Sequence, residues 1–225
     1  MRRSPLRSMP RSNGSKAGRK TGKKAGKTQD LHGSAPDESR VALLIIDMIN
    51  AFDFEGAAAM LPRVLAAART TAALKQRARR ASVPVVYVND NFGRWRSDFR
   101  TILQHCLRPE VPGRPIAELL KPDEDDYFVL KPKHSGFQFT TLDVLLAHLG
   151  AETLILTGVA GNFCVLFTAH DAYMRDYHLV VPRDCVASQT EDDDRYALAH
   201  LAKVTKADTR PATQIDLTGL QRARD

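Results

Sequence analysis

The sequence predicts an α/β protein: a single three-layer α/β/α domain with Rossmann-like layering around a mainly parallel sheet of about six strands. Two observations carry this. Apolar runs of strand length recur from residue 41 onward, and stretches with helical spacing of their apolar residues separate them. The first run, Val41 to Ile46, is apolar throughout, as a parallel strand covered on both faces requires. The chain has no internal repeat, which fits one domain over residues 39–225.

Taken in order, the first strand covers 41–46 and ends at Asp47. Residues 57–81 are alanine-rich, with Leu61, Val64, Leu65 and Leu74 at helical spacing and Pro62 as a kink or start point. A second strand spans 83–88, followed by a polar and aromatic loop over 89–96. Short helices are expected over 97–107 and 115–120, then a third strand over 127–130 that ends at Lys131. Thr140 or Thr141 caps a helix that Gly150 stops. The fourth strand is 153–157, and a helix over 162–176 follows it. The fifth strand is 178–182. Thr190, followed by Glu191 and three aspartates, caps a helix to about residue 204 and complements its dipole. Residues 206–212 form a last edge strand.

Residues 1–38 are of another character. The formal net charge of +7 hides an uneven split, since residues 1–40 carry 11 Lys/Arg against 3 Asp/Glu and the rest 22 against 23. A segment so basic and so poor in apolar residues cannot offset the entropy of ordering, and is expected to be a disordered tail. It is either a solubilising extension or a weak, salt-sensitive, non-specific contact for nucleic acid. No apolar signal-peptide core follows the first arginines, although the composition also fits an organelle transit peptide. No run is long enough to span a membrane. The three cysteines, Cys106, Cys164 and Cys185, lack CxxC spacing, which excludes a disulfide framework or zinc knuckle and points to a reducing, cytoplasmic setting. Cys106 and Cys185 sit in apolar contexts and are expected to be buried and inert.

In open α/β sheets the ligand crevice lies outside the carboxyl ends of the strands. Asp47 follows the first strand, Lys131 the third, and Cys164 opens the helix after the fourth. Singly, Asp47 reads as a cap, Lys131 as a solvated loop residue and Cys164 as a core thiol. Together they bring an acid, a cation and a nucleophile to one edge. A cysteine near a helix N-terminus meets unpaired N–H groups that favour thiolate.

The residues around these three resemble the isochorismatase-like cysteine hydrolases, which include nicotinamidases and N-carbamoyl amidohydrolases. The motifs are Leu44, Ile45, Ile46 and Asp47 with Asn50 and Phe52; Lys131 through Phe137 with Thr141 and Leu142; and Thr157 through Val165 with Thr168, Asp171 and Ala172. The resemblance implies Asp47 as general base, Lys131 as the triad lysine and Cys164 as nucleophile. It also implies a non-proline cis peptide at Val159–Ala160 and an oxyanion site made by the N–H groups of Ala160 and Cys164. The implied reaction is hydrolysis of a small amide, carbamoyl or ureido compound through a Cys thioester. The alternative is a catalytically idle α/β scaffold with a nucleic-acid-binding tail.

Two departures from the family pattern matter. Ile49 stands where many members have glutamine. Residues 83–100 contain no histidine, so the metal site of nicotinamidases is not expected, nor is any cofactor. True isochorismatases lack the cysteine, so Cys164 favours amide-type hydrolysis over vinyl-ether cleavage. Phe52, Asn89, Asn91, Trp95 and Phe137 are candidates for binding substrate, with Trp95 equally suited to packing its own loop or a subunit interface. Arg94 and Arg96 are candidates for attracting a carboxylate, and His134 and His170 read as structural. The expected partners are a small-molecule substrate and further copies of the chain, as a dimer or tetramer.

Overall fold

Alternation of side chains along a buried strand requires apolar cover on both faces, and β1 (Val41–Ile46) shows how it is met. Val41, Leu43 and Ile45 pack into one core, and Ala42, Leu44 and Ile46 into the other; all six are fully buried. The computed structural model describes residues 38–222. The basic tail expected to be disordered, and the nucleic-acid contact assigned to it, lie outside the described residues except for Glu38.

The order after β1 is α1 (Ala57–Arg80), β2 (Val85–Asp90), α2 (Phe99–Cys106), α3 (Arg114–Leu119), β3 (Tyr127–Lys131), α4 (Leu142–Leu149) and β4 (Thr153–Val159). A π-helical turn, Gly161–Val165, leads into α5 (Leu166–Tyr173), then β5 (His178–Val180), β6 (Val186–Ala187), α6 (Glu191–Val204) and α7 (Leu217–Arg222). The sheet has six strands in the order β3-β2-β1-β4-β5, with β6 pairing β4, and every pairing is parallel. One core holds residues of α1, α2, α3 and α7, and the other residues of α4, α5 and α6, which gives the three layers.

Local signals behave as their chemistry demands. Thr190 forms a capping box with Asp193, and Gly150 closes α4 at φ 72°. Thr140 Oγ1 accepts the Leu142 N–H at 3.1 Å, so Thr140 and not Thr141 does the capping. Pro62 lies inside α1, which continues through it. The sixth strand is not where the sequence suggested. Residues 206–212 contribute only an isolated bridge, Val180 with Asp208, and the sixth strand is the two-residue β6. A strand so short leaves no periodicity to detect. Among the described residues, no helix is long and apolar enough to cross a membrane.

Candidate active site

The order β3-β2-β1-β4 sets four carboxyl ends side by side, and each delivers one polar side chain to the same place. Asp47 comes directly after β1 in the left-handed region, at φ 52°, where a non-glycine residue is strained by on the order of 1–3 kcal/mol. Its N–H donates to Val88 O at 3.0 Å, which ties the turn to β2. Its Oδ1 accepts the Asp90 N–H at 2.6 Å, and its Oδ2 lies 2.9 Å from Lys131 Nζ. Lys131 ends β3 opposite Asp90 of β2. Its Nζ also lies 3.3 Å from Asp90 Oδ2 and 3.5 Å from Cys164 Sγ. One fully buried ammonium therefore holds two carboxylates and the thiol.

Cys164 reaches this point through the π turn after β4. Gly158 makes the approach possible: at φ 131°, an added Cβ would stand 2.0 Å from Ile46 O of the neighbouring strand. The Val159–Ala160 peptide is cis, at the position the sequence resemblance implies. Thr168 Oγ1 donates to Cys164 O at 2.7 Å and accepts the Gly136 N–H at 3.0 Å, joining the loop after Lys131 to the nucleophile turn. Ser188 Oγ accepts the Asn162 N–H at 3.0 Å from the other side.

The electrostatics differ from the helix-start expectation. Burial, and next the Asp47 charge, push the Cys164 thiol up to about 12, and Lys131 offsets only part of this. Cys164 is the fourth residue of its turn and buried, so loss of hydration outweighs the N-terminal N–H groups. Burial also holds Asp47 above the ordinary carboxylate range despite Lys131, making it a stronger base than a free aspartate. Burial alone would lower Lys131, but the Asp47, Cys164 and Asp90 charges hold it above its ordinary value. The cluster is thus an acceptor, a fixed cation and a proton donor in contact.

A cavity of about 590 Å³ opens above Cys164 and Asp47. Its apolar walls include Phe52, Phe54, Met60, Phe92 and Phe163, and Val159 and Ala160 border the nucleophile. Its polar groups include Asn50, Asp90, His134, Asn162 and Gln189. Phe52 and Phe92 adopt left-handed backbone, at φ 53° and 51°.

Of the five substrate-binding candidates, only Phe52 lines this cavity. Asn89 is fully buried beneath it and donates to Ile49 O at 2.6 Å, bracing the turn after Asp47. Asn91 Oδ1 accepts the Gly93 N–H at 2.9 Å and shapes the loop. Trp95 is 79% exposed and does not line the cavity. Phe137 is buried in the core, with the Arg175 guanidinium 4.7 Å from its ring centre. Conversely, His134 is not merely structural: it lines the cavity, its ring centre 4.2 Å from that of Phe163. Asp90 falls within the loop expected over 89–96, whereas β2 runs on to Asp90 and sets its carboxylate beside Lys131. Cys106 and Cys185 are buried, their thiols pushed up to about 11 and 12, mainly by burial. Among the described residues, no three His, Cys, Asp or Glu side chains converge as a metal-ligand group.

Known proteins share this architecture. Residues 41–210 match the Isochorismatase domain family. The chain is 40% identical over 174 residues to the isochorismatase family protein YaaI of Bacillus subtilis, covering 77% of this chain and 95% of that one. It is 29% identical over 180 residues to the ureidoacrylate amidohydrolase RutB of Methylorubrum extorquens, covering 66% of this chain and 70% of the relative. The crystal structure of N-carbamoylsarcosine amidase from Thermoplasma acidophilum superposes with a TM-score of 0.62 at 27% identity, covering 79% of this chain and 99% of that one. The chain belongs to the isochorismatase family of small-molecule hydrolases.

Proposed function

We propose that the protein is a cysteine hydrolase that cleaves a C–N bond of a small amide, carbamoyl or ureido compound through a thioester on Cys164. The observation that carries this reading is the contact of Lys131 Nζ with both Asp47 Oδ2, at 2.9 Å, and Cys164 Sγ, at 3.5 Å, below an open cavity. The amidohydrolase and amidase names of two similar proteins are consistent with it.

Asp47 accepts the thiol proton as Sγ attacks the substrate carbonyl carbon. The raised value of Asp47 makes it a stronger acceptor than a free carboxylate, while the raised thiol works against the transfer, so proton removal is coupled to attack on the carbonyl. The oxyanion forms beside the N–H groups of Ala160 and Cys164, and such donors are typically worth 10²–10³-fold in rate. Collapse breaks the C–N bond, and Asp47 returns its proton to the departing nitrogen. Asp47 then takes a proton from the water that attacks the thioester. The acid product leaves, and Asp47 reprotonates Sγ. Lys131 keeps its proton throughout and balances the negative charge as it moves between Asp47, Sγ and oxyanion.

The reading is tested by ammonia release from a panel of small amides, carbamoyl compounds and ureido acids. Hydrolysis by the wild-type chain and none by Cys164→Ala, with unchanged circular dichroism, is expected. Equal turnover by the two proteins would refute it.

A further inference from the structure

The floor and the upper walls of the cavity differ in chemical character. Two carboxylates, Asp47 and Asp90, lie on its floor, against the single ammonium of Lys131 that both already contact. Among the described residues, no arginine or lysine lines it. The arginine next to its wall, Arg94, lines instead a separate cavity of about 120 Å³ together with Asp53. Arg63, near the base of α6, is paired with Asp194 and hydrogen-bonds Thr190 O. A carboxylate entering beside Cys164 would leave water without meeting a free cation, and would face a floor of net negative charge.

The upper walls are of the opposite kind. Phe54, Phe92 and Phe163 are 46%, 44% and 46% exposed, large values for aromatic rings bordering a nucleophile. Such rings gain by being covered with an apolar group, the more so because the cavity volume suits a small aromatic molecule. Asn50, Asn162 and Gln189 supply neutral polar groups able to orient an amide.

We infer that the substrate is an uncharged amide whose apolar, ring-sized body lies among Phe54, Phe92 and Phe163, and that amides bearing a carboxylate are rejected by the acidic floor. The inference rests on the hydrolase reading of Cys164 for the position of the scissile carbonyl, and it concerns which compounds enter.

The test uses the full chain and matched pairs: benzamide against 4-carbamoylbenzoate, and phenylurea against 4-ureidobenzoate. Two quantities are measured, kcat/KM by ammonia release with wild type and equilibrium binding with Cys164→Ala. The neutral member of each pair is expected to bind and react at least about tenfold better, because one uncompensated charge near another in a partly buried site is worth that much. Phe54→Arg places a cation on the wall and is expected to narrow or reverse the preference. Carboxylates that bind Cys164→Ala as well as the neutral partners overturn the inference, as does failure of the neutral members to bind. Neutral preference in binding without turnover by the wild type instead overturns the hydrolase reading and leaves the charge selection standing.

Discussion

Replacing Lys131 by methionine removes the only cation from a cluster of buried acids while nearly keeping its volume. In the native protein Nζ is fully buried, 2.9 Å from Asp47 and 3.3 Å from Asp90, whose side chains are 7% and 27% exposed. Breaking a buried pair by deleting one partner typically costs about 3–5 kcal/mol, because the remaining charge is left uncompensated. For a chain of this size that corresponds to a fall in Tm of roughly 6–20 °C. The pH dependence makes the cause identifiable. Burial already raises Asp47 with Lys131 present, so the ionised form is disfavoured in the folded state. That penalty applies above the ordinary carboxylate range and is relieved as pH falls through the raised folded value. Without Lys131 the folded value rises further. The gap between variant and wild type is therefore widest near neutral pH and narrows toward acid. Urea unfolding of both proteins from pH 5 to 8 measures it, and adding Asp47→Asn to Lys131→Met is expected to return part of the loss. A loss below about 1 kcal/mol, or one that does not change with pH, would refute the assignment of Lys131 as the compensating charge.

Other perturbations have equally definite outcomes. The acid limb of kcat/KM is expected above the ordinary carboxylate range, since Asp47 must be ionised and is raised; a limb at about 4 would remove it as the base. Lys131 is also raised, so no loss from its deprotonation is expected below its ordinary value of 10.5. Asp47→Asn should lower kcat by about 10²–10⁴-fold with little change in fold, measured by initial rates and circular dichroism. Gly158→Ala sets a Cβ against Ile46 O at 2.0 Å and should destabilise the sheet severely, seen as lost soluble yield; a native-like Tm would contradict the tight β1–β4 approach.

The three corners Asp47, Lys131 and Cys164 were legible because each is tied to an element end, which periodicity locates. Asp47 closes a fully apolar strand, Lys131 ends a shorter one, and Cys164 follows the fourth strand and its small residues. Asp90 has the same kind of position, yet its role depends on the pairing of Asp90 with Lys131 across β2 and β3. Register and strand order are not written in the spacing of a single strand. The cavity walls were less legible still, since Phe54, Phe92, Phe163 and Gln189 converge from separate loops. Trp95 and Phe137 illustrate the limit. An aromatic residue near a motif can face solvent, core or ligand with the same local sequence, and here one faces solvent and the other the core. The electrostatics of Cys164 show a related limit: the helix N-terminus that favours thiolate is visible in the sequence, whereas the burial that opposes it is not.

The role of Cys164 is tested most directly by acid-quenching the reaction with a hydrolysed amide and mapping the adduct by peptide mass spectrometry. The predicted result is an acyl group on the peptide containing Cys164, removed by hydroxylamine, with Cys106 and Cys185 unmodified. Undiminished hydrolysis by Cys164→Ala, with no acyl adduct on the wild-type cysteine, would contradict it.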